Sequence, residues 1–124
     1  MAQAFVIHLH TGHGPDHYDL MFETGAALAT WRLAAEPASL SVGEPLPAIR
    51  LADHRRAYLT YEGPVSRGRG RVRRVDAGDY ELLARDETAW TVRLAGSACR
   101  GTFVLRRAQA AGDDWLLTRM RDED

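Results

Sequence analysis

The 124-residue chain is 45 % hydrophobic with a formal net charge of −1, which suits one domain, residues 1–124, with enough apolar material for a core. Its opening, MAQAFVIHLH, lacks the basic n-region of a secretory signal, and no stretch approaches the roughly 20 apolar residues of a membrane span. A lone Cys99 excludes an internal disulfide and suits a reducing cytoplasm.

In chain order, AFVIHLH alternates as a strand does, with Phe5, Ile7 and Leu9 on one face and Val6, His8 and His10 on the other. TGHGPD follows as a glycine- and proline-bearing turn. HYDLMFE alternates again: Tyr18, Leu20 and Phe22 form an apolar face, and His17, Asp19, Met21 and Glu23 the other. TGA turns into ALATWRL, also strand-like. Residues 34–48 hold Pro37, Pro45 and Pro47 with Ser41 and Gly43, and read as a long loop with room for a helical turn. Further strands are expected at 49–52, 57–62, 70–75, 79–84, 88–94, 100–107 and 114–120. AGD at 77–79 and AGDD at 111–114 read as turns, and GPVSRGRG at 63–70 as a glycine- and arginine-rich loop. No stretch carries the sustained apolar stripe of a helix. The pattern predicts a mainly β protein: a single compact β-barrel of about eight short, mostly antiparallel strands with at most short helical turns, a sandwich being the neighbouring solution.

Charge is spread unevenly. All sixteen basic residues are arginine. Between positions 55 and 74, Arg55, Arg56, Arg67, Arg69, Arg71, Arg73 and Arg74 stand against a single acid, Glu62, while the end of the chain, RDED, is acidic. Arginine's planar fork suits bidentate phosphate contacts. A local basic stripe can bind a polyanion while the whole chain stays near neutral.

Four of the five histidines, His8, His10, His13 and His17, fall within HLHTGHGPDHYDL, residues 8–20. Period two points His17 and Asp19 to one face, and His8 and His10 likewise on the preceding strand. If the two strands pair as a hairpin, His10, His17 and Asp19 can converge at the turn end. Two imidazoles and a carboxylate make a mixed N/O site with open positions, suited to Mn²⁺, Zn²⁺, Co²⁺ or Fe²⁺. For any single histidine, polar decoration of an exposed strand is the simpler reading; three compatible groups across one turn favour a ligand set. His8 and His13 fall to a supporting role around those ligands or to solvent. The HxH pair His8–His10 also opens the metal motif of cupins, but that motif needs a glutamate four or five residues after the second histidine, where Gly14 and Pro15 stand.

FVIHLH, then HYDLMFE, TWRL, a proline-rich loop and IRLADHRRAYLTYEG form an ordered set from Phe5 to Trp115. This set resembles the 3′-phosphoesterase domain found at the N-terminus of bacterial DNA ligase D and as a free-standing protein. The matching residues are His10 at the end of the first strand, the triplet His17-Tyr18-Asp19, and Asp53-His54, Tyr58 and Glu62-Gly63 downstream. The resemblance implies a β-barrel that trims DNA or RNA 3′ ends with manganese. His10, His17 and Asp19 would be the metal ligands, and His54 and Tyr58 would contact the scissile phosphate. An imidazole in the place of His54 can protonate a leaving oxygen near neutral pH. The Arg67–Arg74 run would track the nucleic-acid backbone.

Three departures stand out. The turn from His10 to His17 is one residue longer than the family's and carries His13. An arginine that the family places two residues after the ligand aspartate falls on Met21, and a second one, eight residues before the downstream histidine, on Leu46. The expected phosphate contacts are therefore Arg50, Arg67, Arg69 and Arg71, with Arg32 a further candidate. The expected function is a Mn²⁺-dependent (or Zn²⁺- or Co²⁺-dependent) phosphoesterase acting on nucleic-acid 3′ ends in cytoplasmic DNA repair, beside an end-joining ligase or polymerase. The departures also admit a catalytically weakened metal- and nucleic-acid-binding module of the same fold, or a phosphoesterase for another phosphorylated substrate.

Overall fold

The computed structural model describes residues 3–121; the acidic residues 122–124 lie outside them. Among the described residues, alternating sequence builds nine strands: β1 (Gln3–Thr11), β2 (His17–Thr24), β3 (Ala27–Leu33), β4 (Pro45–Arg55), β5 (Gly63–Pro64), β6 (Arg71–Arg85), β7 (Ala89–Gly96), β8 (Arg100–Arg107) and β9 (Asp114–Arg119). The sheet runs β1-β2-β3-β4-β9-β8-β7-β6, and β6 pairs back onto β1, so eight antiparallel strands close a barrel with β5 as a short addition on β6. This is the mainly β barrel expected from the alternation. Helical structure among the described residues is confined to two 3-10 turns, Pro37–Ser39 and Arg56–Leu59. None of the described helices is long and apolar enough to cross a membrane.

The barrel interior collects one face of each strand. Phe5, Ile7, Leu20, Phe22, Trp31, Leu33, Val92, Phe103, Leu105 and Leu117 are at most 2 % exposed. Trp31 sits among Phe22, Trp90 and Trp115, edge-on to each, with ring centroids at 5.9, 5.1 and 5.4 Å. The opposite face of the β1–β2–β3 region is buried too. Val6, Met21 and Leu28 are wholly inaccessible and pack under Tyr58, Leu59 and Ala77. Turn Arg56–Leu59 thus lies over the outside of the barrel as a small second layer.

Several local expectations are corrected. Residues 57–62 form no strand: Tyr58 and Leu59 are used to cover the outer cluster, and the chain there coils as a 3-10 turn. The loop expected at 34–48 ends early, because β4 begins at Pro45. Pro45 and Pro47 are tolerated because β4 pairs there with β9 and meets β3 only from Ala48 onward. The segments 70–75 and 79–84 are one continuous strand, and AGD at 77–79 is no turn. Gly78 serves close approach instead: a Cβ there would sit 2.2 Å from the Ala95 carbonyl oxygen. A register shift between Ile7 and His8 bends the β1–β6 ladder at this place.

Asp76 pins that bend to the β7–β8 loop. Its carboxylate accepts from the backbone N–H groups of Ala77 (2.9 Å), Ser97 (2.8 Å), Ala98 (3.2 Å) and Cys99 (2.6 Å). Burial pushes this carboxyl upward, but the four N–H donors outweigh burial and hold it below the ordinary carboxylate range. A carboxyl lowered on folding adds stability that is present above its unfolded pKa of about 3.9 and lost as pH falls through the folded value. Asp76→Ala strands the buried donors and is expected to cost about 2–3 kcal/mol, on the order of 10 °C in Tm. In urea melts the gap to wild type should close as pH drops below about 4. An Asp76→Ala protein that melts with wild type at pH 7 would contradict this role.

Candidate functional site

Residues 12–16 return the chain so that β1 and β2 pair with His10 opposite His17 and His8 opposite Asp19. Directly opposed residues project to the same side of a ladder. The four polar side chains therefore share the outer face at the turn end, next to the buried Val6–Met21 pair. His8, His17 and Asp19 are 1 %, 7 % and 4 % exposed.

One donor atom from each of His10, His17 and Asp19 lies within 4.8 Å of the others. An ion with bonds of about 2.0–2.2 Å holds its donors no more than about 4.4 Å apart, so small side-chain adjustments close the set. Hydrogen bonding assigns the tautomers, since a carbonyl only accepts. His10 Nε2 donates to the Arg69 carbonyl at 2.6 Å, which leaves Nδ1 as a lone pair. His17 Nδ1 donates to the Pro15 carbonyl at 3.2 Å, which leaves Nε2. A ring nitrogen tied to a backbone carbonyl is the usual outer support of a metal-bound imidazole. His17 Nε2 and Asp19 Oδ1 are buried without a hydrogen-bond partner and stand 3.6 Å apart. Two orphaned polar atoms facing each other at that spacing are costly unless something bonds both. A divalent cation fits this set. Burial pushes the His17 imidazole down, against the pull of Asp19, which favours the neutral form that a metal requires.

The remaining expected residues gather around a cavity of about 270 Å³. His54 at the end of β4 and Tyr58 on the 3-10 turn line it, with ring centroids 5.8 Å apart. His54 Nδ1 donates to the Ala52 carbonyl at 3.0 Å, which leaves Nε2 for other partners. His8 lies beside Tyr58 at 6.1 Å. Burial first, and the Arg74 guanidinium second, push His8 down to about 4, so it stays neutral at physiological pH. His13 is exposed on the turn and its ring stacks 6.3 Å from His10.

The arginines divide. Arg69 lines the cavity, and its carbonyl supports His10. Arg32 lines it too, directly across the β2–β3 ladder from Asp19. Arg71, on the next strand, lines a neighbouring cavity of about 370 Å³ together with Arg73. Arg67 is exposed in a turn with φ of 63°. Arg50 is not brought to the histidines: its guanidinium lies 4.4 Å over the Trp31 ring and reaches the Thr30 carbonyl and Asp53 at 3.4 Å. The apolar walls, Leu51, Val65 and Val72, carry no local mark in the sequence and become visible only when strand pairing is known.

The Arg69 support depends on Gly70. That residue has a φ of +79°, and a Cβ on it would stand 2.0 Å from the Thr11 carbonyl oxygen. Only glycine lets the 63–70 loop close against the end of β1, where the Arg69 carbonyl meets His10.

Comparison with known families finds a match to the DNA ligase D 3′-phosphoesterase domain over residues 8–107. The match includes every cavity residue named above. No curated protein matches the chain.

Calorimetric titration with Mn²⁺ tests the cluster. Wild type is expected to bind one ion, His10→Ala and Asp19→Ala to abolish binding, and Gly70→Ala to weaken it about 10- to 100-fold through loss of the Arg69 support. Equal affinity in wild type and the two ligand variants would rule the cluster out as the site.

Proposed function

The chain belongs to the DNA ligase D 3′-phosphoesterase domain family, and from that premise we propose that it is a metal-dependent phosphoesterase trimming nucleic-acid 3′ ends in DNA repair. The observation that carries the proposal is one cavity lined by His10, Asp19, His54, Tyr58, Arg32 and Arg69, with His17 joined to it through the donor cluster it forms with His10 and Asp19. Mixed N/O donors accept Mn²⁺, Zn²⁺ or Co²⁺, and manganese is the metal the family resemblance favours. His10, His17 and Asp19 would hold a divalent ion, which would supply charge neutralisation at a phosphate oxygen and polarise a water.

The chain's own groups do the rest. Arg32 and Arg69 bind phosphate oxygens as charge-assisted donors. Tyr58 adds a hydroxyl donor at the same phosphate. His54, with Nδ1 fixed by Ala52, carries a proton on Nε2 to the oxygen that leaves the phosphorus. Leu51, Val65 and Val72 line the cavity with apolar surface, which strengthens these contacts by limiting water. Removal of a terminal 3′-nucleoside leaves a 3′-phosphate, and removal of that phosphate leaves the 3′-hydroxyl that a ligase or polymerase can use, so a DNA or DNA/RNA primer-template is the substrate and an end-joining ligase or polymerase the partner, in the cytoplasm.

A second reading, a metal- and nucleic-acid-binding module with little turnover, is favoured by a specific observation. Met21 and Leu46, where the family resemblance places arginines, are both buried, Met21 in the outer cluster and Leu46 in the core. Neither residue lines the cavity.

Phosphate release from a 3′-phosphorylated oligonucleotide, with and without Mn²⁺, separates the two. Metal-dependent release is expected, with His54→Ala lowering kcat by roughly 10²–10⁴-fold and Arg32→Ala by about 10²-fold or more. Tight metal-dependent binding without release would instead support the module, and release untouched by His54→Ala would refute the assigned mechanism.

A further inference from the structure

The cavity does not end at the histidines. Arg32 and His13 also line a second groove of about 450 Å³ that continues along the outer face of β3 and β4. Its floor is apolar, made by Ala34, Pro47 and Ile49. Alternation along β4 puts Leu46 and Ala48 in the core and Pro47 and Ile49 outside, with Ile49 43 % exposed. Solvent-facing positions of an antiparallel barrel ordinarily carry polar residues. Adjoining apolar side chains on such a face, concave and next to a polar site, mark a binding surface.

The groove's place limits what can fill it. Arg32 stands on the shared wall, opposite Asp19 in the ladder, so an occupant of both spaces carries an anion at one end. Its other end must present apolar area to Ala34, Pro47 and Ile49. A phosphate ester held at Arg32 can send its organic group to solvent or into the groove, and only the groove removes apolar surface from water. A nucleobase is a flat ring system of suitable size, and the ribose would pass the polar lip formed by His13 and Asp16. We infer that this groove is the nucleoside subsite, taking the base and sugar joined to the phosphate bound at His10, His17, Asp19 and Arg32. The inference rests on the phosphoesterase reading for the phosphate end.

The floor residues also fix the kind of selectivity. Their side chains hold no hydrogen-bonding atoms, so they meet the face of a base and read none of its edges. The subsite accepts different bases with similar affinity, which an enzyme that processes ends of any sequence needs.

Equilibrium binding to the Mn²⁺-loaded protein tests this without turnover, using adenosine 3′-monophosphate, cytidine 3′-monophosphate and inorganic phosphate. Both nucleotides are expected to bind about tenfold or more tightly than phosphate, by similar factors. Ile49→Asn, which adds no charge opposite Arg32, removes that advantage without weakening phosphate, and Ala34→Gln, checked for folding by thermal melts, serves as an independent variant. Equal affinities for nucleotide and phosphate in wild type, or an advantage kept in both folded variants, would overturn the subsite. Phosphate release scored separately keeps the two ideas apart. Nucleotide preference without turnover contradicts the phosphoesterase and supports the subsite. Equal kcat/KM for methyl phosphate and a 3′-nucleotide supports the phosphoesterase and contradicts the subsite.

Discussion

His10 lies opposite His17, and His8 opposite Asp19, in one antiparallel ladder; the chemistry of the molecule depends on that register. A slip of one residue would turn the imidazoles and the carboxylate into the core and expose Leu9 and Tyr18. Two apolar sets hold the register against this. Phe5, Ile7, Leu20 and Phe22 fill the barrel on one side, and Val6 meets Met21 on the other. Because both faces of the hairpin are buried away from the turn, neither strand can shift without loss on both sides.

The outer layer links packing to chemistry. The turn Arg56–Leu59 covers Met21 with Tyr58 and Leu59, and the same turn carries Tyr58 to the cavity beside His54. An arginine at position 21 would leave a guanidinium in an apolar cluster, at a cost of several kcal/mol. Cationic groups reach the cavity from other elements instead: Arg32 from β3 and Arg69 from the loop before β6. Glu62 fixes that loop from behind by accepting the Arg74 backbone N–H at 2.8 Å. The arginines and the histidine–aspartate cluster around the cavity thus rest on different elements, joined by the β2–β3 and β1–β6 ladders.

Much of the fold was legible because alternation is a local signal. The β1–β2 hairpin, the short Gly25–Ala26 turn and strands β7 to β9 follow from period two and turn residues alone. Misread segments share a cause: residues whose local preference is outvoted by distant partners. AGD at 77–79 carries turn residues, yet Ala77 and Gly78 are held straight between β1 and β7. YLTYE alternates like a strand, yet Tyr58 and Leu59 are needed over Met21. The site follows the same division. His10, His17 and Asp19 could be grouped from facing within one hairpin. The relation of Arg32 to Asp19 needs the β2–β3 register, and the separation of Arg69 from Arg71 needs the start of β6. Arg50 was drawn away by the Trp31 ring, its direct partner across the β3–β4 ladder, a contact that no local pattern records.

The hairpin register, the carbonyl-supported imidazoles and the orphaned Asp19 oxygen all converge on one point, where a cation and a phosphate would meet. A crystal structure of the protein grown with Mn²⁺ and inorganic phosphate, with the anomalous signal of manganese recorded, tests that point directly. The expected result is a manganese ion bonded to His10 Nδ1, His17 Nε2 and Asp19, with the phosphate on its open side within reach of Arg32. Manganese bound elsewhere, with His17 Nε2 and Asp19 Oδ1 still unbonded, would contradict it.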